Sequence, residues 1–400
     1  MCLNLPECRA ARGLRYPSGF IILCLLLCQC ARRGDQRGMA VWIKANWIML
    51  NRLWRKMKGR KICGKGSISQ SCISRFLAVF DEVSFARIMT SAELSAFSVE
   101  WRSFVNKQKS RKMQRKQSRK SRTKRRKHKF VPAKKFMPQY CLDGKSRKGC
   151  LSSETGRTEI DLTLFCPDTF QVLALRTLND KEGEQTAAIN IIDNEGRILP
   201  KGIFTGDAGI TCPNVIAAVV EAGHHYILGI KANAGKAFHA IEDYDWDDIE
   251  DVDLFFNEGH GREEIRSIKR LPVSVLNSHE LSKYKDIAIV FSVTADVHHV
   301  KENKYTTETR YFIGGHCTEK LSAHQAITYI RDHWAQESYH WVKDVVLSED
   351  NCHHKANKGS RTLGVLRAAT AKIGKTLFGS VKTFTDNFSA KPENFIKFRL

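Results

Sequence analysis

Residues 331–344 run RDHWAQESYHWVKD. His333, Glu337, Trp341 and Asp344 recur at i, i+4, i+8 and i+11, which places them on one face of a helix. An aromatic stripe alone is ordinary core. A stripe that also carries a carboxylate is not, because an unpaired buried carboxylate is costly. Glu337 therefore predicts a cation partner, either a basic side chain or a metal ion.

Two further acids stand where strands end. Gln139 to Asp143 is a short strand-like run closing on an acid, followed by Gly144-Lys-Ser-Arg-Lys-Gly149; Gly202 to Asp207 is a buried strand closing on another. Leu162–Cys166, Phe170–Leu178 and His225–Ile230 read as strands, and Glu184–Ile192, Asn214–Ala222 and Lys236–Tyr244 as helices. Strands followed by alternating helix and strand indicate a mixed α/β sheet. From Asp245 to Thr318 the pattern is almost wholly strand-like, so an inserted β-rich subdomain is expected there, with Thr362–Phe378 forming a closing helix.

Neighbouring strands lie about 4.7–4.9 Å apart, so carboxylates at adjacent strand ends can share a divalent ion. A helix laid across that edge brings a third. Two ions roughly 3.5–4 Å apart can activate an oxygen nucleophile and stabilise a leaving oxygen in phosphodiester chemistry. Oxygen-only ligands select Mg²⁺ or Mn²⁺ over zinc. Asp143, Asp207 and Glu337 are thus the candidate ligands and catalytic residues. Each acid alone also fits a strand-end cap or a surface charge.

The net charge of +23 over 400 residues is concentrated. Fourteen of the 23 residues from Lys107 to Lys129 are Lys or Arg, and removing them leaves an excess of about nine. Such a run repels itself and is expected to stay disordered until a polyanion neutralises it. DNA or RNA is the expected partner, through counterion release; a solvated linker is the plainer reading. The 13 cysteines are odd in number and lack paired zinc spacing, which points to free thiols in a reducing compartment. Phe20–Cys28 is too short for a membrane span, which takes roughly 20 residues. It suits a buried helix, or the apolar part of a signal peptide after Arg9, Arg12 and Arg15.

The chain resembles DDE-type transposases of bacterial insertion sequences. The residues that carry the likeness are Leu142-Asp143-Gly144-Lys145 and His333-Trp334-Ala-Gln-Glu337-Ser-Tyr-His340-Trp341-Val342-Lys343-Asp344. Thr205-Gly-Asp207-Ala208 and the Lys231-Ala-Asn233 strand end are similar to the family's second-acid region. His260-Gly-Arg262-Glu-Glu-Ile-Arg266 resembles the start of its β insertion, and Glu349-Asp350 with Asn357–Arg367 its closing segment. Arg15-Tyr-Pro17 and Ser69–Arg75 are similar to its associated N-terminal domain. Where the family carries Lys-Ser-Asn-Glu this chain has Lys181-Glu-Gly-Glu184.

The resemblance implies an α/β fold with a ribonuclease-H-like catalytic core, an inserted β-rich subdomain and a helical N-terminal domain. The expected boundaries are 1–100 for the helical domain, 101–136 for a basic disordered linker, 137–244 and 319–385 for the core, and 245–318 for the β insertion. It implies a cytoplasmic, nucleoid-associated bacterial enzyme, with no membrane role, that cuts and joins DNA with two Mg²⁺ (or Mn²⁺) ions as a homodimer or larger assembly. A non-catalytic DNA-binding protein derived from a decayed transposase is the alternative. Lys145, Arg147, Lys148, Arg262, Arg266, His333, His340 and Lys343 are the candidate DNA contacts. Their plainer roles are ion pairs with Glu263, Glu264 or Asp344, and structural histidines.

Overall fold

The computed structural model describes residues 5–9, 14–63, 66–93, 130–152, 155–178, 182–249, 253–259, 261–351, 354–355 and 357–393. The basic run 107–129 and His260 lie outside the described residues. Four helices open the fold: α1 (Ser18–Cys30), α2 (Gln36–Ala45), α3 (Trp47–Lys56) and α4 (Gln70–Val79). A fifth, α5, covers residues 82–93. All of α1 is buried, which its sequence demands: a helix apolar on every side has no face to offer water. No helix among the described residues is long and apolar enough to cross a membrane.

The sheet is built from β1 (Gln139–Leu151), β2 (Thr158–Cys166), β3 (Gln171–Thr177), β4 (Ile203–Gly206), β5 (His225–Ile230), β6 (Asp253–Gly259), β7 (Arg262–Pro272), β8 (Ile287–His299), β9 (Lys304–Gly315) and β10 (His354–Lys355). Its order is β3-β2-β1-β4-β5-β9-β8-β7-β6, with β10 beside β1. β1, β4 and β5 are mutually parallel. Helices α6 (Glu184–Asn194) and α7 (Pro213–Glu221) lead into β4 and β5, as parallel strands require a crossover, and α8 (Lys236–Glu242) follows β5. Short α9 (Val273–Leu276) and α10 (His316–Glu319) lead to α11 (Ala323–His333), α12 (Ala335–Trp341), α13 (Lys358–Phe378) and α14 (Val381–Ala390). One sheet face packs Tyr140, Leu142, Phe204 and Leu228 on Ile191, Ile216 and Val219. The other packs Ile203 and Ile227 on Ala326 and Ile330 of α11. With both faces covered, all four β4 residues are buried.

Four expectations change. The 245–318 segment adds strands to the main sheet: β9 pairs with β5 through Ile227↔Gly314 to Ile230↔Tyr311, and β8 and β7 continue outward. A period of two identifies strands but not the sheet they join. Residues 1–100 do not form a core of their own, because Leu363, Leu366, Ala369, Phe384 and Phe388 of α13 and α14 complete it. The end of the expected linker is fixed rather than loose, with the Ala133 amide donating to Thr328 Oγ1 (2.9 Å) and Lys135 Nζ buried against Asp168 (3.0 Å). And β1 does not stop at Asp143: it runs on to Leu151, paired with β2 as far as Ser146↔Ile160 before a bulge.

Because α13 closes the N-terminal core, Leu366→Ala should cost about 2–5 kcal/mol, as fully buried leucines do. Helix content and tryptophan fluorescence from Trp42 and Trp54 should then shift together in a urea titration. An early fluorescence transition with unchanged far-ultraviolet dichroism would mean two separate cores.

Candidate active site

The parallel ladder between β1 and β4 runs Gln139↔Ile203, Tyr140↔Phe204, Cys141↔Thr205 and Leu142↔Gly206, and there it ends. The next residue on each strand is an acid, Asp143 and Asp207. Residues in register on parallel strands share a sheet face, so these two carboxylates are neighbours at the mouth of the ladder. Asp143 is the more enclosed; Asp207 is mostly exposed.

Glu337 arrives on the first turn of α12. The single helix expected over 331–344 is in fact α11, a break at Trp334, α12 and a π-helical turn over Val342–Val346. This changes which side chains face the sheet. His333, Gln336, Tyr339 and Lys343 are buried, whereas Glu337 is exposed and Trp341 is 53% exposed. Glu337 thus lies beside the buried stripe, at the rim of a cavity of about 170 Å³ that Asp207, Lys231, Arg310, His333 and Trp334 also line.

Burial first, then Asp207, Glu184 and Glu337, holds the Asp143 carboxyl at about 7 instead of 3.8. The acids therefore feel one another. They do not pre-form a cage: among the described residues, only exposed His239, Glu242 and Asp243 bring three ligand atoms within 4.8 Å of one another. Like charges without a counter-ion stand apart. The donors at the ladder's end are all carboxylate oxygens, the chemistry that Mg²⁺ or Mn²⁺ takes.

The two histidines each back one aspartate. His333 Nε2 is 3.6 Å from Asp207 Oδ1 and its Nδ1 is 3.2 Å from Thr205 Oγ1. His340 Nδ1 is 3.5 Å from Asp143 Oδ2. Burial lowers both imidazoles; with Lys343 and Lys145 nearby, His340 falls to about 3. Both are neutral near pH 7, and they face the aspartates rather than an open DNA surface.

The other candidate contacts divide sharply. Lys145 is buried, with Nζ 2.6 Å from Asp344 Oδ1 and 3.4 Å from Asp350 Oδ1. Arg147 is 1% exposed, 2.5 Å from Glu159 and 3.3 Å from Asp161. Lys343 is buried on Glu349 (3.1 Å) and Asp161 (3.6 Å). Arg266 is buried, paired with Glu264, its guanidinium 4.2 Å from the Trp334 ring centroid. None of these four is open to a phosphate as it stands. The physical cause for Lys145 and Arg147 is the continuation of β1, whose alternation turns both side chains inward with Asp143. Lys148 and Arg262 are exposed.

Two residues of the site were not read from the sequence. Glu184, at the start of α6, lies over Gly144: a Cβ there would meet Glu184 Oε1 at 2.5 Å, so a side chain at that point would push the carboxylate aside. Arg310 of β9 is raised by its bond to Glu308 and, further down, by Asp207 and Glu337. It brings positive charge to the acids from a strand far along the chain.

No family model matches the chain. It is 23% identical over 245 residues to "Putative protein YbfL" of Escherichia coli (strain K12), covering 58% of this chain and 62% of that protein. It is 24% identical over 245 residues, with the same coverage, to "H repeat-associated putative transposase YhhI" of the same organism. It is 25% identical over 228 residues to "Putative transposase YncI" of Escherichia coli O157:H7, covering 52% and 54%. The chain thus spans about three-fifths or less of the length of these relatives. Among solved structures, the cryo-EM structure of the piggyBac transposase synaptic complex with hairpin DNA aligns over 98% of this chain and 75% of that one, at 8% identity and a TM-score of 0.42. The chain is similar in sequence to proteins named as transposases, and its acids gather at one end of one ladder.

Proposed function

We propose that this protein is a DDE-type transposase, cutting DNA and joining strands at Asp143, Asp207 and Glu337. The carrying observation is the register that ends at Leu142↔Gly206 and sets the first two acids side by side. Glu337 at the rim of the Asp207 cavity supports the reading, as does the strand order β3-β2-β1-β4-β5. That order, with β2 antiparallel to its neighbours, is what a ribonuclease-H-like core would have.

Asp143, Asp207 and Glu337 would hold the divalent cations. When bound, two such cations activate the attacking oxygen and stabilise the leaving one. The chain's own part is positioning and charge. Neutral His333 and His340 steady the aspartates without competing for them as cations would. Lys231 and Arg310, on the cavity wall, supply positive charge for a phosphate next to three acids. Exposed Lys148 and Arg262 are placed to meet the backbone of a bound duplex. DNA is the partner, bacterial DNA the setting, and joining two ends calls for at least two copies of the chain.

The test is cleavage of DNA carrying the element's ends. The wild type should cut in Mg²⁺ and not in chelator, and Asp207→Asn should bind the same DNA but not cut it. DNA binding with no Mg²⁺-dependent nicking by the wild type would instead identify a non-catalytic DNA-binding protein.

A further inference from the structure

The acid-bearing strand and the acid-bearing helix are joined at more than the acids. Along the buried side of α12 and the π turn, three side chains spaced four residues apart reach β1 or its neighbour. Gln336 Nε2 donates to the Thr163 carbonyl (3.2 Å). His340 stands on Asp143. Asp344 Oδ1 takes Lys145 Nζ at 2.6 Å, the tightest of the three. Lys145 lies two residues beyond Asp143 on the same strand face, and Asp344 lies seven beyond Glu337. Their contact is a second link between the two elements that carry the acids.

Behind that link runs a buried ion-pair network. Glu349 Oε2 is 3.6 Å from Lys145 and 3.1 Å from Lys343. Asp161 meets Lys343 and Arg147, and Glu159 meets Arg147 and Arg361 (2.9 Å). Buried pairs are a poor route to stability, since apolar residues of the same volume often do as well or better. What such a pair does supply is a fixed distance between the elements it joins. The π turn over Val342–Val346 contains Asp344; an inserted residue of this kind shifts the register of a helix, and such insertions occur at functional sites.

We propose that Lys145 and Asp344 are positioning residues: the ion pair between buried Lys145 and half-buried Asp344 sets the separation between the Asp143 and Glu337 carboxylates, and with it the affinity of the acid site for a divalent cation. The inference rests on reading those acids as a metal site. It assigns Lys145 a task inside the protein, in place of the DNA contact its sequence suggested.

Mn²⁺ titration of the full chain without DNA, followed by electron paramagnetic resonance, tests it with no reliance on turnover. Lys145→Met and Asp344→Asn should each weaken Mn²⁺ binding by about tenfold, the usual scale for residues that orient metal ligands. The double variant Lys145→Met/Asp344→Met should be no weaker than Lys145→Met alone, since the contact with Asp344 is already lost there. Asp344→Glu keeps both charges and lengthens the link by a methylene; it should fold and still bind Mn²⁺ less tightly. Arg361→Met, in the far arm of the network, should lower the melting temperature and leave Mn²⁺ affinity as it was. Wild-type affinity in Lys145→Met and Asp344→Glu overturns the proposal, and so does an equal loss in Arg361→Met. A wild type whose Mn²⁺ binding is absent, or survives Asp207→Asn, sinks the metal reading itself and this inference with it.

Discussion

Asp143→Asn should make the metal-free protein more stable at pH 8 and, on the function proposed above, reduce DNA cleavage at least about a thousandfold, the scale on which loss of a central catalytic group is felt. Burial and the neighbouring carboxylates hold this carboxyl at about 7 against an ordinary 3.8. The unfolded chain loses the proton first. Stability therefore falls as pH rises from about 4 to about 7, and above 7 the full cost is present. That cost is at most about 4 kcal/mol. Asparagine keeps the shape and drops the charge, so the variant should gain up to that amount at pH 8 and nothing near pH 4. Melting curves in chelator at the two pH values check it. Added Mg²⁺ should raise the wild type's melting temperature at pH 8 and leave the variant's unchanged. Equal stability of the two proteins at pH 8 would show that Asp143 is not under electrostatic stress.

Arg147→Met should be strongly destabilising, at about 3 kcal/mol, because it takes one cation from each of two buried carboxylates and leaves Asp161 to Lys343 and Glu159 to Arg361 alone. Its guanidinium is 2.5 Å from Glu159 and 3.3 Å from Asp161, and the side chain is 1% exposed. Lys148→Met, one residue on, should barely change stability. It should instead weaken DNA binding and shallow its salt dependence by roughly one unit of log–log slope. Denaturant midpoints and binding measured over a salt series separate the two. A stable Arg147→Met with weakened DNA binding would return Arg147 to the surface role its sequence suggests.

That Asp143 and Asp207 lie side by side was legible from two strand-like runs that each reach a carboxylate, although β1 runs on past Asp143 to Leu151. The buried helix α1 was legible from its unbroken apolar run. What was not legible is what non-local pairing decides. Gly144-Lys-Ser-Arg-Lys-Gly149 has the composition of a turn, yet it continues β1, paired with β2 as far as Ser146, and the strand's alternation turns Lys145 and Arg147 inward. Helical periodicity placed Glu337 and Trp341 on the buried face; the break at Trp334 moved both to the outside. Glu184 lies forty residues from Gly144 and meets it only because the chain returns over the sheet at the start of α6. No short-range pattern announces such a contact.

The shared core of α1 and α13 bears on how the chain is made. Part of the cover for Ser18–Cys30 is supplied by Leu363 and Leu366, which a ribosome adding about 5–20 residues per second reaches only tens of seconds after α1 has emerged. Through that interval a thirteen-residue apolar helix is incompletely sheltered in the nascent chain. Chaperones that bind such exposed apolar segments would then bear on how much protein survives synthesis.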